Sequence, residues 1–575
     1  MVDQPQVVNP ADRGEELERE AFPLDVLFVG GGPAGLAGAI RLAQRVRAHN
    51  QDREGPPLEV EIAVMEKGEE FGLHGLSGAI LDDAALQELY PDYRERGFPV
   101  SRTVQEEGLL FLTRRRALRV PGFLLPRNMH NHGKSVISLQ RLSRWMAEQA
   151  EREGVNLFPG TTGVEILIED GRVCGVRTGD KGLAKGGERR PNFEPGYDLG
   201  ARVTVFCEGP RGTLAEDLIR RFDLRADCNP QQYSLGVKEV IRVPRTTGRG
   251  IAFHSMGYPL PRYAFGGGWL YEMDDETYSV GFVAGLDWRN PTLDVQEELQ
   301  RFKAHPFILG HLEGGEVTNY GAKTIPEGGF WAIPRLHVPG ALIAGDSAGL
   351  VNVPTLKGIH YAMRSGIVAA DTIFEALREG DVSEERLSGY RESLLATEVG
   401  RDLHASRAFR ASFHDGLFPG IVRWGSRMLL GGGPRTRIPA RPDWRGMQAA
   451  GRFPSRPAPP RSDGKLFLDK LEDVHRSGTA HRDDAPSHIR VIDPTVCVRH
   501  CVPTHGAVPC EHFCPAQVYE MQGEGDDRRV EVSFQNCVHC KTCVILDPCD
   551  AGQVEGMQNI EWRAPAEGGP KYMNL

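Results

Sequence analysis

The chain has 575 residues, with 68 Lys and Arg, 78 Asp and Glu and a formal net charge of −10. This length predicts several domains, and 40% hydrophobic with 25% charged residues is typical of a globular protein. The acidic balance argues against a nucleic-acid partner, and no apolar run has the length of a membrane-spanning helix.

The first predicted elements follow a solvated tail over residues 1–20. Residues 25–29 have the apolar pattern of a buried strand, and Gly30, Gly32 and Gly35 follow at the spacing Gly-x-Gly-x-x-Gly, before a helix. A second strand over residues 60–65 ends at Glu66. Such glycines let backbone N–H groups approach a pyrophosphate, and the acid accepts hydrogen bonds from a ribose. The pattern predicts a dinucleotide site; a glycine-rich turn without a ligand is the alternative.

Two further strands end in turns that suit a flavin dinucleotide. Residues 203–206 run into a second glycine turn, and residues 341–344 run into a loop whose carboxylate suits a ribityl hydroxyl. A helix near Gly358 could direct its positive end at a flavin ring. This order resembles the FAD-dependent superfamily that includes aromatic hydroxylases and geranylgeranyl reductases. The residues of these turns predicted to contact FAD are Glu208, Gly209, Arg211, Gly345 and Asp346.

The C-terminal segment is rich in cysteine. Of eleven cysteines, eight lie between Cys497 and Cys549, after a Pro-rich linker predicted over residues 451–490. The acidic N-terminus lacks the apolar core of a signal peptide, so we expect a reducing compartment, where clustered cysteines bind metal more often than they form disulfides. The three scattered cysteines are predicted to be buried, inert thiols: Cys174, Cys207 and Cys228.

Four cysteines have the spacing of an iron–sulfur site. Cys537, Cys540 and Cys543 follow each other at two-residue intervals, and Cys514 precedes a proline, as in ferredoxins where the Cys-Pro cysteine completes a remote triplet. These four residues are predicted to bind one [4Fe–4S] cluster. A structural zinc site is the alternative, although such sites usually show two separated Cys-x-x-Cys pairs. The hydroxyls of Tyr519 and Thr542 are candidate donors to cluster sulfur.

Several motifs in combination resemble the electron-transfer-flavoprotein:quinone oxidoreductase family, from residue 25 to the C-terminus. The resemblance implies an enzyme that takes electrons from reduced electron-transfer flavoprotein through the cluster and FAD to a membrane quinone. It adds Asn352 to the FAD contacts and makes Gly266 and Gly267 quinone contacts. The motifs that carry it are His74-Gly75-Leu76-Ser77-Gly78-Ala79, Asn131-His132-Gly133, Gly328-Gly329-Phe330, Asn352-Val353-Pro354-x-x-Lys357-Gly358-x-His360, Phe513-Cys514-Pro515-Ala516, Asn536-Cys537-Val538-His539-Cys540-Lys541-Thr542-Cys543 and Gly568-Gly569-Pro570.

The expected fold class is α/β combined with α+β. A Rossmann-like FAD-binding domain carries an inserted β-sheet quinone-binding domain and a C-terminal ferredoxin-like iron–sulfur domain. The predicted boundaries are residues 21–230 and 320–400 for the FAD domain, 231–319 with 100–135 for the quinone domain, 401–450 for a helical membrane-contact segment, and 491–575 for the iron–sulfur domain.

Four cysteines are not explained by the family resemblance. Cys497, Cys501 and Cys510 precede the Cys-Pro, and Cys549 follows the triplet, an arrangement similar to seven-iron and eight-iron ferredoxins. We hypothesise a second [3Fe–4S] or [4Fe–4S] cluster bound by Cys501, Cys510 and Cys549, with Cys497 as a fourth ligand. The alternatives are free thiols, or a zinc site completed by His500, His505 or His512.

Two apolar stretches with arginines suit the headgroup region of a bilayer. The first covers residues 109–126 with Arg114, Arg115, Arg116 and Arg119, and the second covers residues 417–430 with Arg423 and Arg427. Each would ordinarily be a core element; their positions match the membrane contacts of the resembled family. The expected location is one-sided attachment to the cytoplasmic face of a prokaryotic inner membrane.

Two other functions remain open from the sequence. One is an isoprenoid-lipid (geranylgeranyl) reductase or flavin hydroxylase with a fused ferredoxin, which explains the FAD motifs but not the shared cysteine motifs. The other is a non-enzymatic zinc-binding docking domain at the C-terminus. No general acid or base is predicted, because electron transfer between carriers needs none.

Overall fold

The computed structural model describes residues 17–52, 57–76, 78, 80–126, 129–429, 434, 436–524, 528–547, 559–573 and 575. Most of the predicted tail, together with Ser77, Ala79 and Cys549, lies outside the described residues. Among the described residues, no helix combines the length and the apolar character needed to cross a membrane.

The described strands, in chain order, are β1 Ala21–Val29, β2 Ile62–Met65, β3 Ile80–Leu81, β4 Val100–Thr103, β5 Glu106–Leu112, β6 Ala117–Arg119, β7 Ser135–Ile137, β8 Asn156–Phe158, β9 Gly163–Glu169, β10 Arg172–Thr178, β11 Lys181–Leu183, β12 Arg189–Glu194, β13 Asp198–Phe206, β14 Tyr233–Arg242, β15 Ile251–Gly257, β16 Gly266–Glu272, β17 Thr277–Gly285, β18 Glu316–Pro326, β19 His337–Val338, β20 Ala341–Ile343, β21 Ile489–Val491, β22 Tyr519–Gln522, β23 Arg529–Val532 and β24 Ile560–Trp562.

The described α-helices are α1 Pro33–Gln51, α2 Ala84–Leu89, α3 Leu139–Arg152, α4 Thr213–Arg221, α5 Val295–Lys303, α6 Pro306–Leu312, α7 Ile359–Glu379, α8 Glu384–Ala396, α9 Glu398–Ala405, α10 Phe409–Ser412, α11 Leu417–Leu429, α12 Lys470–Arg476, α13 Val502–His505, α14 Pro509–Phe513 and α15 Thr542–Ile545.

The first sheet is the parallel sheet of a dinucleotide-binding fold. Its strands run in the order β19-β20-β13-β1-β2-β8, and β1 pairs in parallel with both β2 and β13. The last four residues of β1 are fully apolar and buried, as expected for a strand covered on both faces. Helices α1 and α7 pack against each other beside this sheet. The carboxyl ends of β1, β2, β13 and β20 therefore meet at one edge.

The second sheet is largely antiparallel and runs in the order β18-β14-β17-β16-β15-β5-β6. Strands β5 and β6 come from residues 106–119 and join strands from residues 233–326, so two distant segments build one sheet. This grouping matches the composition proposed for the quinone domain, although β18 continues past the predicted boundary at residue 319.

The C-terminal region docks on β18 of the second sheet. The Tyr320 hydroxyl donates to the Pro515 carbonyl (2.9 Å), and the Thr324 hydroxyl donates to the Cys540 carbonyl (3.0 Å). The Tyr572 hydroxyl also donates to the Ala322 carbonyl of β18 at 3.2 Å. The iron–sulfur region and the second sheet therefore share one apolar core.

The region predicted as a linker, residues 451–490, is structured and packed. Leu466 and Leu468 are buried, α12 begins with a capping box at Asp469, and Arg456 forms an ion pair with Glu298 (2.5 Å). The composition of this region, in which Pro and charged residues dominate, favoured a linker. The region is ordered because it docks on α5, and the sequence does not reveal that contact. At the other terminus, Arg19 of the predicted tail pairs with Asp180 at 2.6 Å.

Candidate functional site

A large cavity opens where the carboxyl ends of the parallel strands meet. It has an empty volume of about 2000 Å³, part of it open to solvent, and extends to the second sheet and the cysteine-rich region. Ligands of open α/β sheets bind at this edge. Of the predicted FAD contacts, those lining the cavity are Gly30, Gly32, Glu66, Glu208, Gly209, Gly345 and Asp346.

The glycine turn leaves the start of α1 open toward this cavity. Gly30 has φ +116°, and a Cβ there would lie 2.4 Å from the Cys207 carbonyl oxygen. At Gly32, the N-cap of α1, a Cβ would meet nothing within 4 Å, and no side chain caps the helix. Gly35 does not line the cavity; a Cβ there would come within 2.2 Å of the Gly30 carbonyl oxygen, so this glycine permits close packing of helix on strand.

Two carboxylates stand at strand ends on the cavity wall. Glu66 accepts from the backbone N–H of Gly31 (2.9 Å) and of Gly68 (2.8 Å). Burial favours its protonated form, but the hydrogen bonds and the neighbouring His74 hold the pKa of Glu66 below its ordinary value. Burial raises the pKa of Asp346 to about 6, although the Lys323 ammonium opposes the shift. Both carboxylates line the cavity, where they could accept hydrogen bonds from hydroxyls of one extended ligand.

Three other predicted FAD contacts have partners within the protein. Glu208 accepts from the backbone N–H of Ala215 (2.6 Å) and so caps α4 while lining the cavity. Arg211 pairs with Glu216 at 3.2 Å, and the Asn352 amide donates to the Tyr361 hydroxyl at 3.1 Å. Neither Arg211 nor Asn352 is among the residues that line the cavity, so their contacts with FAD stay predictions.

Four buried cysteines surround a second, smaller cavity of about 320 Å³ empty volume. Cys514, Cys537, Cys540 and Cys543 all line it and are each no more than 8% exposed. Burial and the neighbouring thiols raise the pKa of Cys514 to about 11 and that of Cys537 to about 12. These groups would hold protons at neutral pH unless a metal bound them, because a bound cation stabilises the thiolate form.

Hydrogen bonds to sulfur surround this group. The backbone N–H of Val518 donates to the Cys514 Sγ, and that of His539 donates to the Cys537 Sγ, each at 3.4 Å. The Thr542 hydroxyl donates to the Cys540 Sγ at 3.4 Å. The Tyr519 hydroxyl is buried and interacts with the Cys543 thiol. Both predicted donors therefore stand beside cluster ligands.

The two cavities meet at Lys541 and Trp562, which line both. The Lys541 Nζ lies 4.8 Å from the Trp562 ring centroid and donates to the Arg211 carbonyl at 2.7 Å. Beside them, the Lys67 Nζ lies 3.1 Å from His539 Nδ1. Burial and neighbouring lysines lower the pKa of Lys67 to about 7. Lys541 and Trp562 thus form a wall that the two cavities share, with Lys67 beside it.

These connecting residues were not predicted from the sequence. Lys67 directly follows Glu66, and Lys541 lies inside the cysteine triplet, so proximity to each motif was a signal for both. Lys323, which faces the cavity from β18, and Trp562 on β24 had no such signal. Their place depends on how β18 and β24 pack.

The predicted quinone glycines lie at the start of β16. A Cβ at Gly266 would come within 2.1 Å of the Val283 carbonyl oxygen, and one at Gly267 within 1.9 Å of the Ser255 carbonyl oxygen. Both glycines are therefore needed for strand packing. They are not among the residues lining the large cavity, which the second sheet meets through Gly236, Trp269, Tyr271 and Val283 instead. Quinone contact by Gly266 and Gly267 stays a prediction.

The remaining cysteines fall into two groups. Cys497, Cys501 and Cys510 are buried, whereas Cys549 lies outside the described residues. Of the three scattered cysteines, Cys207 is buried as predicted, but Cys174 and Cys228 are only half-buried, so the prediction is wrong for these two. Cys174 lies on strand β10 and Cys228 in the loop after α4, between the polar residues Asp227 and Asn229.

The residues present suit both an FAD and an iron–sulfur cluster. The uncapped start of α1 and the open space over Gly32 suit a pyrophosphate, and four buried thiols around one cavity suit a cluster. Fold and site together define a redox protein of the flavin dinucleotide-binding class with an attached iron–sulfur domain.

Comparison with known proteins gives the family. Residues 233–325 match the family model "ETF-QO, ubiquinone-binding", and residues 464–573 match "Electron transfer flavoprotein-ubiquinone oxidoreductase, 4Fe-4S". The probable electron transfer flavoprotein-ubiquinone oxidoreductase of Acinetobacter baylyi is 37% identical, over 97% of this chain and 100% of its own. The mitochondrial enzyme of Bos taurus is 39% identical, over 98% and 91%. The chain belongs to the electron transfer flavoprotein-ubiquinone oxidoreductase family.

One solved structure has a similar fold at low sequence identity. A geranylgeranyl bacteriochlorophyll reductase-like protein from Thermoplasma acidophilum aligns with a TM-score of 0.54 and 18% identity, covering 68% of this chain and 88% of its own. At this identity the similarity concerns the fold alone. It supports the predicted Rossmann-type fold for the part of the chain that it covers.

Proposed function

We propose that this protein transfers electrons from reduced electron-transfer flavoprotein to a membrane quinone. Relatives named for this activity match the chain over nearly its whole length. The observation that carries the proposal is the contact between the two cavities, where Lys541 and Trp562 line both. An iron–sulfur site and a flavin site that share a wall can exchange electrons without a diffusing carrier.

The chain supplies two binding sites for the redox groups. Gly30, Gly32 and the start of α1 would hold the FAD pyrophosphate, with Glu66 at the ribose and Asp346 at the ribityl chain. When bound, FAD accepts one or two electrons and so joins a one-electron donor to a two-electron acceptor. Lys67, Lys323 and Lys541 place positive charge on the wall between the sites, which favours added negative charge in either.

An exposed apolar patch supports attachment to a membrane surface. Phe123 is 87% exposed and Val422 is 72% exposed, and both belong to the two stretches predicted to contact lipid. The Phe111 and Phe418 rings lie 6.0 Å apart, so β5 and α11 bring the stretches together. We define the apolar patch as Leu118, Phe123, Leu124, Phe418, Ile421 and Val422. Large exposed apolar patches mark interaction sites, and arginines beside this one suit lipid phosphates.

The finer location follows the same proposal. We place the protein on the cytoplasmic face of a prokaryotic inner membrane, with the apolar patch in the headgroup region and the quinone drawn from the lipid. Spheroplasts and inside-out vesicles treated with protease distinguish the two faces: degradation only in inside-out vesicles is expected, and degradation only in spheroplasts would contradict this orientation.

Quinone reduction by the purified holoprotein tests the function. Reduced electron-transfer flavoprotein and a short-chain quinone should give quinol, and the Cys537→Ser variant should lose this activity while retaining FAD. The Cys174→Ser variant, altered at a half-buried thiol away from both cavities, is the matched control. No quinol from the wild type, with saturation of a geranylgeranyl chain instead, would favour the reductase alternative.

A further inference from the structure

Cys497, Cys501 and Cys510 form a second group of buried thiols. The first two stand at the ends of one π-helical turn, Cys497–Cys501, and the third lies in α14; their exposed fractions are 3%, 0% and 1%. A hydrogen bond between Cys497 and Cys510, burial, and the nearby Cys501 raise the pKa of Cys510 well above its ordinary value. Three thiols from two separate elements thus converge inside the core without forming a disulfide.

The three thiols do not all lie as close together as the ligands of a single metal ion, although Cys497 and Cys510 are within hydrogen-bonding distance. A tetrahedral zinc site with Zn–S distances of about 2.3 Å brings its sulfurs within about 4 Å of one another. Among the described residues, the group with all ligand atoms within 4.8 Å of one another is His481, His488 and His539. Neither the three thiols alone nor the three thiols with His505 have all their ligand atoms within 4.8 Å of one another. The predicted cluster ligands Cys514, Cys537, Cys540 and Cys543 are also outside that close group, as expected where each thiolate of a cluster binds a different iron.

We propose that Cys497, Cys501 and Cys510 hold a second iron–sulfur cluster. Each thiol would lose its proton and bind one iron, and three such ligands complete a [3Fe–4S] cluster. Nothing in the family descriptions assigns this site. The family model that covers residues 464–573 is described as 4Fe-4S, which corresponds to one cluster. The residues needed for the proposal are all described and buried.

The second site stands next to the first. Cys510 and Cys514 belong to different sites but are joined by α14, where the Cys514 N–H donates to the Cys510 carbonyl at 3.2 Å. The Tyr519 side chain lies near both, because thiols of each site, Cys543 and Cys510, act on its hydroxyl electrostatically. Two clusters sharing a helix and a buried aromatic side chain form a continuous path for single electrons from the α14 side toward the flavin cavity.

Metal analysis and EPR of the anaerobically purified full-length protein test the proposal without turnover, so the result is independent of the proposed function. We expect about seven iron atoms and about eight acid-labile sulfides per chain, rather than about four of each. The oxidised protein should give an EPR signal, since an oxidised three-iron cluster is paramagnetic whereas an oxidised [4Fe–4S] cluster is silent. About eight irons would also support a second cluster, with a fourth ligand added.

A variant assigns the cluster to these cysteines. Cys501→Ser should lose about three irons and the oxidised EPR signal, while the signal of the dithionite-reduced [4Fe–4S] cluster and the flavin content persist. Cys228→Ser, at a half-buried thiol outside both groups, should keep all of the iron. About four irons in the reconstituted wild type, or bound zinc in place of the additional iron, would overturn the proposal whether or not the variant folds.

Discussion

Thr542 bonds a predicted cluster ligand through its side chain. Its hydroxyl donates to the Cys540 Sγ at 3.4 Å. A hydrogen bond to sulfur stabilises the reduced, more negative cluster, so Thr542→Ala should lower the midpoint potential by about 40 mV, corresponding to about 1 kcal/mol. A redox titration followed by EPR measures the change. Thr542→Ser keeps the hydroxyl and should keep the potential; equal potentials in wild type and Thr542→Ala would refute the role.

Lys67 should make the cluster potential depend on pH near neutrality. The Lys67 Nζ lies 3.1 Å from the Nδ1 of His539, a residue that stands between two predicted cluster cysteines in sequence. Burial lowers the pKa of Lys67 to about 7. Below that pH the ammonium is charged and favours the reduced cluster; above it the charge is lost and the potential falls. A unit charge acting over a distance on the order of 8 Å at an effective dielectric constant of about 20 contributes about 2 kcal/mol, or roughly 80 mV.

Redox titrations at pH 6 and pH 8 measure this dependence. Lys67→Met should show the low potential at both pH values, and Lys67→Arg, which stays charged, should show the high one. A wild-type cluster potential that is equal at pH 6 and pH 8 contradicts the assignment. Lys67 could have been suggested from its place after Glu66, but its distance to His539, 472 residues away, could not.

At the scale of elements, the close approach of α1 and α7 fixes the flavin cavity. A Cβ at Gly366 of α7 would lie 2.0 Å from the Ala34 carbonyl oxygen in α1. Gly366→Ala should therefore separate the helices, lower the free energy of unfolding by about 1–3 kcal/mol and reduce FAD retention. Chemical denaturation and flavin content measure the two effects.

A second helical glycine provides the control. At Gly389 of α8 a Cβ would meet nothing within 4 Å, so Gly389→Ala should raise the free energy of unfolding by about 0.5–1 kcal/mol through helix propensity. Similar destabilisation by both substitutions would mean that the contact of α7 with α1 is not the cause. The glycine fingerprint before α1 was predictable from its spacing, whereas Gly366 lies 336 residues after Gly30 and had no motif.

At the scale of the whole molecule, β5 and α11 bring the apolar patch together from distant segments. Replacing Phe123 and Val422 with Asp should abolish most binding to anionic lipid vesicles, because both side chains are largely exposed and their burial in lipid provides the attraction. Vesicle flotation measures bound protein. Val164→Asp, at an exposed apolar residue of β9 outside the patch, is the control. Undiminished flotation of the double variant would exclude the patch as the membrane contact.

The sequence by itself determined the motifs whose ligands are close along the chain. Gly30, Gly32 and Glu66 form one βαβ unit, and Cys537, Cys540 and Cys543 lie within seven residues, so local geometry sufficed. Only the tertiary structure decided that Arg211 and Asn352 bond partners within the protein. It also decided that residues 451–490 dock on α5 and that Lys541 and Trp562 line both cavities. These features depend on contacts between residues far apart in sequence, which are fixed by packing and leave no periodic or spaced signal in the chain.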